Sequence, residues 1–228
     1  MRFLNFSPKV SADMRTIDLS VYLVLDPDLC HGAQGMIDTA LAAAQNGATA
    51  VQLRAPSWKK RALYECAVAL KQKLSPLHVP LIINDHADVC VASNADGLHV
   101  GQQDLPVEAA RHIIGPDRAL GLSVSFPDEL NLVDPTLVDH LGVGPIFATT
   151  TKPDASRPMG LDGFTEIATH KICPIVAIGS VNTSNAARLI AAGADGVAVV
   201  SAICGQNDPG YATRQLAEIV RLAQINVS

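Results

Sequence analysis

In AGADGVAVV (192–200) a glycine closes one apolar stretch, and an Ala-Asp pair leads straight into a run of valine and alanine. A small residue where a helix must stop, followed at once by β-branched residues, marks a tight helix-to-strand connection. The chain writes the same junction as NGATAVQL (46–53) and again as NADGL (94–98). No linker rich in Ser, Gly or Pro separates the three. They read as one repeated αβ unit rather than as domain boundaries.

Working outward from these junctions, short β-rich runs recur. They are Val21–Leu25, Ala50–Leu53, Pro80–Ile83, Gly97–Val100, Ala119–Ser123, Val138–Val143, Pro174–Ile178 and Gly196–Val200. Several lack polar alternation, as strands covered on both faces do. Longer helical stretches lie between them. Gln34–Gln45 is Ala-rich and ends at Asn46-Gly47. Trp58–Leu74 places Leu63, Cys66, Ala67, Leu70 and Leu74 on one face. Pro106–His112 begins on a proline suited to a first turn, Asn182–Ala192 on capping residues, and Pro209–Ala223 follows the last strand. Ser125–Asp134 is the weakest, crowded by Pro127 and Pro135. Eight strands alternating with helices over 228 residues predict a (β/α)8 TIM barrel, α/β in class. The rival is an open doubly wound sheet. It needs a glycine-rich first βα turn, and Asp26-Pro27-Asp28 is not one. Residues 1–20 read as a loose leader without the apolar core of a signal peptide, and 21–228 as one catalytic domain.

Composition narrows the function. The chain is 48% hydrophobic and 17% charged, with a net charge of −5. Mean hydropathy is +0.23, yet no uncharged apolar run reaches the roughly 20 residues that span a bilayer. Aromatics are 4% and no basic run exceeds Lys59-Lys60-Arg61, so a nucleic-acid partner is not expected. Five scattered cysteines without a CxxC argue against disulfides or zinc, and predict buried thiols in a cytoplasmic protein. The oligomeric state stays open, a homo-oligomer included.

In a TIM barrel function gathers at the strand C-terminal ends. Here those ends carry Gln52-Leu53-Arg54, Asn84-Asp85, Gly101 to Asp104, Ser123, Gly144 to Lys152, Gly179-Ser180 and Val200-Ser201. Asp85 and Asp104 can share a hard cation such as Mg²⁺, or each can cap a following helix. Arg54 offers a fork for phosphate oxygens, or an ion pair to a rim carboxylate. The Ala148-Thr-Thr-Thr-Lys152 loop is either solvated surface or a segment that closes over an anion. The glycines and serines after strands seven and eight stand at the usual phosphate position of such barrels, where backbone N–H groups meet the anion. His99 reads as a buried, hydrogen-bonded strand residue, His86 as a bystander, and Trp58 as a helix cover or part of the mouth.

VQLR (51–54), LIINDHADVCVASNADGLHVGQQDLP (81–106), GLSVS (121–125), LGVGPIFATTTKPDA (141–155), PIVAIGSVN (174–182) and GADGVAVVSAI (193–203) together resemble the thiamine-phosphate synthase family. The resemblance runs from about Val21 to the C-terminus. It implies a Mg²⁺-dependent transferase that joins 4-amino-5-hydroxymethyl-2-methylpyrimidine diphosphate to thiazole phosphate and releases pyrophosphate. It implies that the C–O bond breaks largely before the thiazole nitrogen attacks. By motif position, Mg²⁺ falls to Asp85 and Asp104. Gln52, Arg54, Asn84, Ser123 and Lys152 fall to the pyrimidine diphosphate, with Arg54, Ser123 and Lys152 in catalytic roles. Thr149, Thr151, Gly179, Ser180, Val200 and Ser201 fall to the thiazole phosphate. Two positions depart from the family pattern. Pro56 stands where it usually has a lysine, leaving Lys59 or Lys60 to supply that charge. Ser180 stands where it usually has a second glycine, which matters if φ there is positive. The alternatives are a thiazole tautomerase-like isomerase and a non-catalytic thiazole-phosphate binder.

Overall fold

In the computed structural model, which describes residues 15–149, 151 and 156–227, eight strands close into a parallel barrel in the order β1 to β8. They are β1 (Val21–Leu25), β2 (Ala50–Leu53), β3 (Leu81–Asn84), β4 (Gly97–Val100), β5 (Ala119–Val124), β6 (His140–Val143), β7 (Ile175–Ala177) and β8 (Gly196–Val199). The ring shuts where β1 pairs β8, Leu23 against Val199. Helices α1 (Ala33–Ala44), α2 (Lys60–Leu74), α3 (Ala87–Ala92), α4 (Val107–Ile114), α5 (Pro127–Leu130), α6 (Gly160–Thr169), α7 (Ala186–Ala191) and α8 (Pro209–Val227) alternate with the strands. The buried face of α2 is Leu63, Cys66, Ala67, Leu70 and Leu74, as its periodicity predicts.

Most boundaries follow the sequence reading, and the shifts have local causes. Pro80 and Pro174 lie just outside their strands because proline has no N–H for the ladder. Their carbonyls still accept from Val51 (3.0 Å) and Leu141 (2.9 Å). The helix expected from Asn182 starts only at Ala186. Asn182 Oδ1 takes the Ser184 N–H, and Asn185 Oδ1 takes the Asn182 N–H, both at 2.9 Å. Those side chains hold a turn in place of the first helical residues.

Alternation sorts each strand into two faces. Val21, Leu23 and Leu25 of β1 pack outward with Val51, Leu53, Leu81 and Ile83 against the helices. Tyr22 and Val24 point inward with Ala50, Ile82, Val176 and Ala198, and Leu19 joins them from below. Inside, large and small residues face each other. Gly121 pairs with His99 on one side and His140 on the other. A Cβ at Gly121 would sit 2.4 Å from His140 Nε2 and from His99 Nδ1. Glycine is what lets two imidazoles fit one layer. Of the cysteines, Cys30, Cys66, Cys90 and Cys204 are buried, Cys173 is half-buried, and all are free thiols. No helix among the described residues is long and apolar enough to cross a membrane.

Candidate active site

A cavity of about 160 Å³ opens at the strand C-terminal ends. Its floor is polar. Gln52 Nε2 donates to the Tyr22 hydroxyl at 3.0 Å, which leaves the Gln52 carbonyl oxygen for a ligand. His99 Nε2 and Ser123 Oγ lie 3.0 Å apart. Burial pushes the Tyr22 phenol far above its ordinary range, so it stays protonated. His140, beneath this layer, is held down to about 3 by burial and then by the neighbouring His99, so it stays neutral.

Two walls rise from that floor. Arg54 and Asn84, at the ends of β2 and β3, line one side. Arg54 makes no ion pair among the described residues. Gly179, Ser180, Val200 and Ser201 line the other side, beyond β7 and β8, joined by Thr149 and Thr151 from the loop after β6. The N–H groups of Gly179, Ser180 and Ser201 donate to no protein acceptor among the described residues. A main-chain donor without a protein partner at a cavity wall is ready for an anion. Ser180 does have positive φ, 53°, so the second departure from the family pattern is strained. Its hydroxyl donates to the Ala148 carbonyl at 2.6 Å rather than facing the cavity as a spare donor.

Asp85 and Asp104 do not line this cavity. They sit beside it on neighbouring loops, since β3 pairs β4 through Asn84 and His99, and the Asp85 N–H donates to the His99 carbonyl at 2.8 Å. Asp85 Oδ2 accepts from Asn84 Nδ2 at 2.5 Å, and Asp104 Oδ2 from the Gly101 N–H at 2.8 Å. Neither caps a helix. Helix α3 starts after His86 and α4 after Pro106, both without a side-chain cap bond. Among the described residues no cluster of three or more His, Cys, Asp or Glu forms a metal cage. Two accessible carboxylates fit Mg²⁺ nonetheless, because that ion keeps several waters and completes its shell with substrate phosphate oxygens.

Lys152 lies outside the described residues. Neither candidate for the missing cation reaches the cavity. Lys60 pairs with Asp88 at 2.5 Å, and Lys59 lines an outer groove with Trp58, Ala33 and Ile37. Trp58 therefore packs on the helical layer, away from the mouth. His99, read from sequence as structural, is both a buried, bonded residue and part of the cavity wall. Tyr22 and Ser125 were not anticipated. Ser125 Oγ donates to the Gly144 carbonyl at 2.9 Å and fixes the start of the threonine loop.

Against this geometry, the family model for thiamine monophosphate synthase matches residues 21–203. The chain belongs to the thiamine monophosphate synthase family. It is 48% identical over 202 residues to the thiamine-phosphate synthase of Laribacter hongkongensis, covering 89% of this chain and 95% of that protein. It is 49% identical over 210 residues to that of Xanthobacter autotrophicus, covering 92% and 99%. Among solved structures it resembles a thiamine phosphate pyrophosphorylase from Pyrococcus furiosus, with a TM-score of 0.82, 33% identity, and coverage of 90% and 97%. A likeness to 3-hexulose-6-phosphate synthase from Salmonella typhimurium, TM-score 0.69 at 16% identity, covers 90% of this chain and 100% of that one and reflects the shared fold.

Proposed function

We propose that the cavity holds two phosphorylated substrates end to end, the pyrimidine diphosphate at the β2–β4 side and the thiazole phosphate at the β7–β8 side. The family's activity is a transfer: a pyrimidine and a thiazole are condensed and pyrophosphate leaves. One observation carries the proposed arrangement. In a closed ring of eight strands, β3 and β7 stand opposite each other. Arg54 and Asn84 thus face the N–H groups of Gly179, Ser180 and Ser201, which have no partner among the described residues, across a polar floor. Two anion-holding walls of different make suit two different phosphorylated ligands.

The chemistry asks for charge stabilisation rather than proton transfer. Arg54 holds the departing diphosphate through its fork, and Asn84 donates its amide beside it. Lys152, assigned by its motif, completes that set. Gln52 and Ser123 orient the aminopyrimidine, whose ring bears the positive charge once the C–O bond breaks. Thr149, Thr151, Val200 and the N–H groups at 179, 180 and 201 hold the thiazole phosphate so that the ring nitrogen meets the electron-poor carbon. Asp85 and Asp104 would hold Mg²⁺, which would supply neutralisation of the diphosphate charge. A tautomerase needs only the thiazole-phosphate wall, so Arg54 and Asn84 on the opposite wall favour the transferase. The reading includes one catalytic domain over residues 21–228, small phosphorylated substrates as ligands, and a cytoplasmic setting.

Replacing Asp85 or Lys152 with Ala tests the assignments. Each variant is expected to lower kcat by about 100-fold or more, as loss of a key transition-state contact does. A kcat close to wild type in either variant removes that residue from the catalytic set.

A further inference from the structure

Resting on that reading, we propose that Ser180 is a positioning residue whose hydroxyl fastens the threonine loop after β6 to the phosphate loop after β7, and so sets Thr149 and Thr151 against the thiazole phosphate. The main chains of the two loops stay joined beyond the end of the sheet. Ile178 N–H donates to Val143 O at 3.0 Å, Ile146 N–H to Ile178 O at 2.8 Å, and Phe147 N–H to Gly179 O at 3.2 Å. Gly179 allows this approach, since a Cβ there would lie 2.7 Å from Ile146 N and from Pro145 Cα. One residue on, the joining passes to a side chain. Ser180 Oγ donates to the Ala148 carbonyl at 2.6 Å.

Ala148 is bonded directly to Thr149, and the next link is already made. Thr149 Oγ1 and Thr151 Oγ1 lie 2.9 Å apart, and the Thr151 N–H donates to Thr149 Oγ1 at 3.3 Å. Ser180, Thr149 and Thr151 all line the same cavity wall. A hydroxyl has one proton to give. Spent on Ala148, it is not available to the phosphate, which is left with the Ser180 main-chain N–H. The Ser180 peptide is itself held, because its carbonyl accepts from Asn185 Nδ2 at 3.0 Å and Asn182 Nδ2 at 3.3 Å. Serine at φ 53° is a costlier choice than glycine, which takes that conformation freely. The tie to Ala148 is what the side chain provides in return.

The test compares Ser180→Gly and Ser180→Ala with the wild-type enzyme. Both lose the tie, but glycine also relaxes the backbone. The tie lies on an exposed rim where water competes, so the effect is modest. Both variants are expected to raise KM for thiazole phosphate by about 3- to 10-fold, the scale of one lost hydrogen bond. KM for the pyrimidine diphosphate and kcat at saturation stay within about 2-fold, below that scale. Ser180→Gly is expected to melt at or above the wild-type temperature while binding thiazole phosphate more weakly. A purely structural serine cannot produce that split. A Ser180→Gly enzyme with wild-type KM for thiazole phosphate, or variants in which both KM values rise together, would overturn the proposal. Calorimetric titration with thiazole phosphate reads the same ordering without turnover. Absence of product from the wild-type protein would therefore count against the transferase reading, and unchanged affinity in the variants against the tie.

Discussion

Arg54 is the only lysine or arginine among the described residues that line the cavity, and Pro56 stands two residues beyond it where the family usually has a second cation. Lys60 is engaged with Asp88, and Lys59 faces the outer groove. On the proposed reading, the diphosphate wall then has one cation fewer than the family pattern. Pro56 is exposed at the start of the loop, and the change to lysine disturbs no buried contact. Pro56→Lys is expected to lower KM for the pyrimidine diphosphate by about 3- to 10-fold, the worth of one charge-assisted contact. Steady-state kinetics with thiazole phosphate saturating checks it, and an unchanged or higher KM would mean the wall is already complete. At this scale much of the cavity lining was legible. Gln52, Asn84 and Ser123 are polar residues near the C-terminal ends of otherwise apolar strands, and the cavity gathers all three. His99 carries the same signal in GLHV, and reading it with Gln52 and Ser123 would have put it at the site. What the sequence could not show is which partner a polar group takes. Ser180 gives its proton to Ala148, and neither aspartate caps a helix, because those outcomes depend on how separate loops meet.

Among the elements, the barrel strands were readable because both of their faces are covered, and apolar runs survive whatever the register. The helices were less uniform. Helix α3 is only six residues, and α6 carries Gly160 and Gly163, which weaken a helical reading. Neither carries a clear helical periodicity for that reason. The interior layer was not legible at all, since the size match across strands appears only once β4, β5 and β6 are in register. Gly121 is its tightest point. Gly121→Ala would drive a methyl to 2.4 Å from two imidazole nitrogens that the barrel wall holds in place. Overpacking of this kind costs about 1–3 kcal/mol. Urea unfolding of the variant is expected to show that loss, and wild-type stability would mean the two histidines can move aside.

For the molecule as a whole, His140 links stability to acidity. Its ring is 1% exposed, and among the described residues neither nitrogen has a hydrogen-bond partner. With the folded value held down to about 3 by burial, the unfolded chain binds the proton first as pH falls below about 6.5. The stabilisation is complete above about pH 6.5 and is lost as pH falls toward 3, by up to about 1.4 kcal/mol per pH unit. Between pH 7 and pH 5 this one group is expected to remove about 2 kcal/mol of unfolding free energy. His140→Phe is expected to flatten that slope, whatever its absolute stability. Equal slopes in the two proteins would mean that the imidazole takes up its proton inside the fold.

The closure of the barrel was also a whole-molecule question. Composition could not separate a ring from an open sheet; the count of eight strands alternating with helices, and the lack of a glycine-rich first turn, favoured the ring that β1 and β8 complete. That closure sets Arg54 and Asn84 across from the β7 and β8 loops, and the central claim rests on this opposition. The most direct test follows pyrophosphate and thiamine phosphate together when purified protein meets pyrimidine diphosphate, thiazole phosphate and Mg²⁺. Equal amounts of both products, abolished by EDTA and restored by Mg²⁺, are expected. Binding of thiazole phosphate with neither product formed would contradict the account.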